Sequence, residues 1–93
     1  MNNQEKIARI YDSLKEMQLE KNKRYGDSAL KPNNIFSKLD SESSIKIRLD
    51  DKLGRIANSD ELNVNDISDI VGYLVLLLIS IDANEKDILN LID

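Results

Sequence analysis

The chain contains no cysteine and no histidine among its 93 residues. Without cysteine it can form neither a disulfide framework nor a thiolate zinc site. Without histidine it lacks imidazole bases, Ser-His catalytic triads and the usual transition-metal ligands. Any metal site must therefore consist of carboxylates and water, and that donor set favours magnesium, manganese or calcium.

Positive charge and long apolar segments are also scarce. The formal net charge of −4 and the pI near 4.8 argue against a duplex DNA partner, because duplex-binding surfaces are usually basic. The apolar run 73–81 is far shorter than the roughly 20 residues of a membrane span. The first residues do not form the basic and then apolar pattern of a signal segment. We therefore expect a cytoplasmic protein with no membrane partner.

What the sequence does contain is helical periodicity over most of its length. We predict one all-α domain over residues 1–93. Its first long helix is capped by Asn2 or Asn3 and runs to about 21 or 23, and its second begins at 40 or 41 and runs to about 57. The third is capped by Asn63 or Asn65 and runs to about 81. A short helix is predicted over 85–92. The segment 27–40 is irregular around Pro32, with a short helical turn at Ile35-Phe36. The first two helices each have one apolar stripe, consisting of Ile7, Ile10, Tyr11, Leu14 and Met17, and of Ile45, Leu49, Leu53 and Ile56.

The third helix differs because it is apolar around its whole circumference after Tyr73, over residues 74–79. A helix of this kind is buried on every side. A 93-residue chain has too little material to cover it. We therefore expect a partner, most simply a second copy packed across a two-fold axis, so that a homodimer or tetramer completes the bundle.

Three clusters of charged residues are candidates for a site. In the first, Asp66, Asp69 and Tyr73 share one face of the third helix at positions i, i+3 and i+7. Acids near a helix N-terminus are favoured by up to about 1 kcal/mol. This explains Asp66 better than Asp69, because Asp69 lies on the inward stripe, where desolvation is costly. Paired aspartates at this spacing can also hold a hard cation.

The second cluster lies on the second helix, where Arg48, Lys52 and Arg55 follow one flank beside Asp50 and Asp51. A solvated surface with the pairs Arg48–Asp51 and Asp51–Arg55 would explain these residues, at about 0.2–0.5 kcal/mol per pair. Three cations on one side of a helix in an acidic protein also suit phosphate recognition.

The third cluster lies at the end of the first helix and consists of Lys21, Lys23, Arg24, Tyr25 and Asp27. Cations at a helix C-terminus have a dipole explanation. However, Tyr25 also offers an aromatic face to a base, beside charges that suit a phosphate. The three glycines are isolated, so the sequence has no glycine-rich phosphate loop.

Together these clusters resemble the small phage and bacterial nucleotide-modification-associated domains, which look like relatives of the all-α nucleoside triphosphate pyrophosphatases typified by MazG and the dimeric dUTPases. The resemblance covers about residues 21–81 and rests on the segments KNKRYGDS (21–28), IRLDDKLGRI (47–56) and DISDIVGYL (66–74). It implies a MazG-like helical bundle that assembles as a dimer or tetramer in a bacterial or phage-infected cell.

The resemblance also implies magnesium held by acids on two neighbouring helices, and cleavage of a nucleoside triphosphate to monophosphate and pyrophosphate. By position, Asp66 and Asp69 match the acids of the later helix, while Asp50 and Asp51 lie where the earlier helix has Glu-x-x-Glu. The second acid of that earlier pair is missing here, because Gly54 follows Asp51 by three residues. A weaker magnesium site is therefore implied.

The leading hypothesis is recognition of a nucleotide phosphate with magnesium-dependent pyrophosphohydrolysis. Asp51 would accept a proton from the attacking water, and Arg48, Lys52 or Arg55 would offset phosphate charge. The substrate site would further include Lys21, Lys23, Arg24, Tyr25, Asp27 and Tyr73. The alternatives are a non-catalytic protein that binds a nucleotide signal, as some phage counter-defence proteins do, or docks on a host protein, and a purely structural helical oligomer.

Overall fold

The protein is all-helical in the computed structural model, which describes residues 1–31 and 39–92. Its helices are α1 (Asn3–Tyr25), α2 (Ser41–Ala57), α3 (Val64–Ser80) and α4 (Glu85–Leu89). The described residues include no strand, so the predicted all-α class is confirmed. None of the helices they form is both long and apolar enough to cross a membrane. The turn predicted at Ile35-Phe36 lies outside the described residues.

The three long helices begin at polar caps that the sequence offers. The side chains of Asn2, Asp40 and Asn63 each accept a hydrogen bond from a backbone N–H two or three residues further on, at 2.7–2.8 Å. Such caps satisfy amides that have no partner within the helix. α1 ends at Tyr25, beyond its predicted end, and Gly26 follows with a φ of 68° that glycine adopts without strain.

The short helix α4 also has a cap but is shorter than predicted. Asn84 and Asp87 form a reciprocal capping box at its start, and it ends at Leu89 instead of continuing to residue 92. α4 packs against none of the other three helices. Because tertiary packing supplies most helical stability in proteins, an unpacked helix is expected to stay short.

α2 and α3 form an antiparallel hairpin, and most of the packing between the described elements lies between these two helices. Among the described residues only Ile45 and Leu49, both on α2, are buried. No residue of α3 is buried, and five of its apolar side chains are 37–50% exposed, those of Ile67, Leu74, Val75, Leu78 and Ile79. The single chain therefore does not enclose α3, and homo-oligomerisation stays a prediction.

α1 packs against α3 through its C-terminal half. Gln18 Nε2 donates a hydrogen bond to the Gly72 carbonyl at 3.0 Å, and Leu14 and Met17 are half-buried. In the N-terminal half, by contrast, the apolar stripe is largely in solvent, with Ile10 61% and Tyr11 69% exposed. α1 is thus held through its C-terminal half, which lies beside the polar side chains of the α2–α3 hairpin, and not through its N-terminal half.

Candidate functional site

The facing sides of α2 and α3 carry the basic and acidic residues that the sequence singles out. Positions 48, 52 and 55 of α2 face positions 73, 69 and 66 of α3, in that order. The register is reversed because the two helices are antiparallel. Side chains at helical spacing on one helix therefore meet a matching series on the other.

Five charged side chains meet where α1, α2 and α3 come together. We call them the three-helix ion cluster: Lys21, Lys52, Arg55, Asp66 and Asp69. Lys52 Nζ lies 2.8 Å from Asp69 Oδ2, and Lys21 Nζ lies 3.2 Å from Asp69 Oδ1. Two longer ion pairs reach Asp66 Oδ1, from Arg55 at 3.8 Å and from Lys52 at 4.0 Å. Asp69 is thus contacted from both other helices.

The inner members of the cluster are largely withdrawn from water. Lys52, Asp66 and Asp69 expose 16–19% of their side chains, whereas Lys21 exposes 47% and Arg55 64%. Burial alone raises the pKa of Asp69, but hydrogen bonds from Lys52 and Lys21, together with their charges, outweigh it. The pKa of Asp69 consequently lies below its ordinary value, and its carboxylate is ionised at neutral pH.

The cluster carries a positive excess. Three cations and two carboxylates leave a formal charge of +1, in a chain whose net charge is −4. The two most exposed members, Lys21 and Arg55, are both cations. An anion approaching this surface therefore meets hydrogen-bond donors first, which suits a phosphate oxygen.

Two further contacts lie beside the cluster. The Arg48 guanidinium lies 5.9 Å from the centroid of the Tyr73 ring, within the range of a cation–π interaction. The Gln18–Gly72 hydrogen bond joins α1 to α3 in the turn next to Asp69. Gln18 was not among the predicted site residues. Its only signal in the sequence is its place directly after Met17 on the apolar stripe of α1.

The remaining predicted residues lie outside the cluster. At the end of α1, Arg24 pairs with Glu20 at 3.1 Å, Asp27 accepts a hydrogen bond from Asn22 at 2.8 Å, and Tyr25 is 72% exposed. Lys23 is exposed, and in the part of the chain that the structure describes none of these residues forms an ion pair or a hydrogen bond with the cluster.

On α2, Asp50 and Asp51 are exposed as well. Over residues 1–31 and 39–92 neither forms an ion pair within 4.0 Å. Of the cations on α2, Lys52 and Arg55 pair with α3 instead of with Asp51.

The donor set of the cluster does not fit a divalent cation as it stands. Within the described residues, no group of three or more histidine, cysteine, aspartate or glutamate side chains could hold a metal ion. Asp66 and Asp69 lie together, but Lys52 contacts both of them. A cation would have to displace that ammonium group, because Mg²⁺ binds carboxylate oxygens directly. Magnesium stays a prediction of the sequence.

A comparison of the chain with protein-family models, curated proteins and solved structures found no match. The likeness to MazG-type pyrophosphatases therefore stays a resemblance of three short segments. The geometry of the three-helix ion cluster is the observation from which a function can be argued.

Proposed function

We propose that this chain recognises a nucleotide phosphate at the three-helix ion cluster and works as a homodimer or tetramer. The observation that supports the proposal is the convergence of three cations, Lys21, Lys52 and Arg55, from α1 and α2 at one surface. Asp66 and Asp69 hold these cations in place while leaving a net positive charge. Hydrogen bonds between cations and phosphate oxygens are among the stronger polar interactions in proteins.

Magnesium-dependent hydrolysis of a nucleoside triphosphate is the first activity to test, because the resemblance implies it. Binding without turnover is the second candidate, and one observation favours it. Asp66 and Asp69, two of the four acids expected to hold the metal beside Asp50 and Asp51, already pair with Lys52. A protein that only sequesters a nucleotide needs the cations and not a metal.

The proposal is tested by titration calorimetry with nucleoside triphosphates and with pyrophosphate, each with and without magnesium. Lys21→Ala and Arg55→Ala are each expected to weaken binding by about 1.5–3 kcal/mol, the range for a hydrogen bond to a charged group. Raising the ionic strength should weaken it further. Lys15→Ala is the matched control, because Lys15 also lies on α1 and is exposed, but forms no ion pair with the cluster among the described residues.

The outcomes separate the candidate functions. Pyrophosphate release in the presence of magnesium supports the hydrolase, and binding without release supports the sequestering protein. Wild-type protein that binds none of these compounds, or binding that Lys15→Ala weakens as much as Lys21→Ala, would remove the phosphate site. A structural oligomer or a protein that docks on a host protein would then remain.

A further inference from the structure

Two apolar grooves lie on either side of α3. The groove on the α1 side has a volume of about 470 Å³ and is lined mainly by Ile7, Ile10, Tyr11, Leu14 and Val71. The groove on the α2 side, of about 420 Å³, is lined by Leu74, Leu77, Leu78 and Ile81, with Glu42 and Lys46 beside them. Linings of this kind suit the apolar side chains of a protein surface and offer little to a nucleotide.

The surface of the chain is larger than that of a compact monomer. It exposes 7926 Å², whereas a folded monomer of 10.6 kDa exposes about 5,500 Å². The radius of gyration, 15.0 Å, likewise exceeds the roughly 12 Å expected for a compact domain of this length. A two-fold dimer that removed this excess of about 2,400 Å² from each chain would bury about 4,800 Å² in total, which is within the range of obligate homodimers.

We propose that a second copy of this chain occupies both grooves, in a two-fold dimer in which α3 and the first half of α1 of each copy cover those of the other. The inference rests on the self-association in the proposed function, but not on phosphate binding. A two-fold interface places the same patch on both copies, and an apolar patch is chemically compatible with itself. The charges beside the α2-side groove, Glu42 and Lys46, pair with each other at 3.0 Å, so two copies bring no like-charge repulsion there.

The test is the molar mass in solution, measured by light scattering and sedimentation at about 10 and 100 μM. Wild type is expected at about 21 kDa, twice the chain mass of 10.6 kDa. Ile10→Asp in one groove and Leu78→Asp in the other should each yield monomer. Leu62→Asp is the control: Leu62 is 74% exposed and lines neither groove, so the mass should not change.

A second measurement covers the case in which the groove variants fail to fold. The Tm of a wild-type dimer rises with protein concentration, because the native state is the associated one. A wild-type mass of one chain at 100 μM together with a constant Tm would overturn the proposal. An assembly that survives both groove substitutions, or that Leu62→Asp disrupts equally, would overturn the assigned surface. Nucleotide binding is measured separately, so its failure leaves these results unaffected.

Discussion

The carboxylate of Asp69, on α3, forms ion pairs with side chains of both α1 and α2. A charge on the inward stripe of α3 is costly to desolvate, and the fold meets that cost with Lys52 at 2.8 Å and Lys21 at 3.2 Å. Partial burial makes these pairs matter more than pairs in open solvent, which contribute about 0–1 kcal/mol. The position of each of the three helices therefore depends partly on the side chain of Asp69.

Asp69→Asn is expected to lower the free energy of unfolding at pH 7 by about 1–3 kcal/mol, because the partly buried Lys52 would keep only its longer ion pair, with Asp66 at 4.0 Å. Urea unfolding measures this change. Asp12→Asn removes the same charge from an exposed position on α1, and there the expected change is under about 0.5 kcal/mol.

The difference in the free energy of unfolding between wild type and Asp69→Asn should also depend on pH. Because the pKa of Asp69 is lower in the folded than in the unfolded state, its contribution is fully present above the unfolded value, about 3.9. The contribution is lost as the pH falls through the folded pKa. Asp40, whose pKa is lowered by hydrogen bonds from Ser43, affects both proteins equally. If the difference in the free energy of unfolding between the two proteins stayed constant from pH 7 to pH 2, it would contradict the lowered pKa of Asp69 in the folded state.

The sequence indicates which residues share a face but not which residues they meet. Arg48, Lys52 and Arg55 lie on one flank of α2, as predicted, but the described residues do not form the ion pairs with Asp51 that were one alternative for this flank. The partners lie on α3 instead. That register depends on how the apolar stripes of α2 and α3 pack. Helical periodicity, which describes one helix at a time, does not contain this information.

At the scale of elements, local chemistry defines the helices well. The start of each long helix follows from a capping side chain, and glycine marks the end of α1. The ends that differ from expectation, at Tyr25 and Leu89, depend on fraying and packing, which the sequence pattern does not encode. Of the two caps considered for α3, the structure selects Asn63.

Asn63→Ala should therefore destabilise the protein more than Asn65→Ala. The Asn63 side chain accepts hydrogen bonds from two amides, those of Asn65 at 2.8 Å and Asp66 at 3.2 Å. Its loss is expected to cost about 1 kcal/mol in the free energy of unfolding. Asn65 lies in the first turn, where alanine is the better helix former, so its replacement should be neutral or slightly stabilising. Urea unfolding of the two variants compares them directly, and equal effects would argue against Asn63 as the cap.

For the whole molecule, stability is unevenly distributed. The α2–α3 hairpin holds Ile45 and Leu49, the two buried residues of the part of the chain that the structure describes. α1 is attached along one half of its length, and α4 packs on no other helix. The sequence indicates that α3 is apolar around its whole circumference. It does not indicate how much of that apolar surface a single chain covers, because the covered area depends on the angles between the helices.

This distribution predicts a gradient in amide hydrogen exchange. At concentrations low enough for monomer, amides in the first half of α1, around Ile7 and Ile10, should exchange faster than those around Ile45 and Leu49, because local opening there uncovers almost no buried surface. At high concentration the proposed dimer covers α1, so its amides should become protected while those of α4 stay fast. Mass spectrometry of deuterium uptake at two concentrations measures both effects. If the amides of α1 and α2 exchange at the same rate at both concentrations, the chain opens as a single unit. That result would contradict both the loose attachment of the first half of α1 and its burial by a second copy.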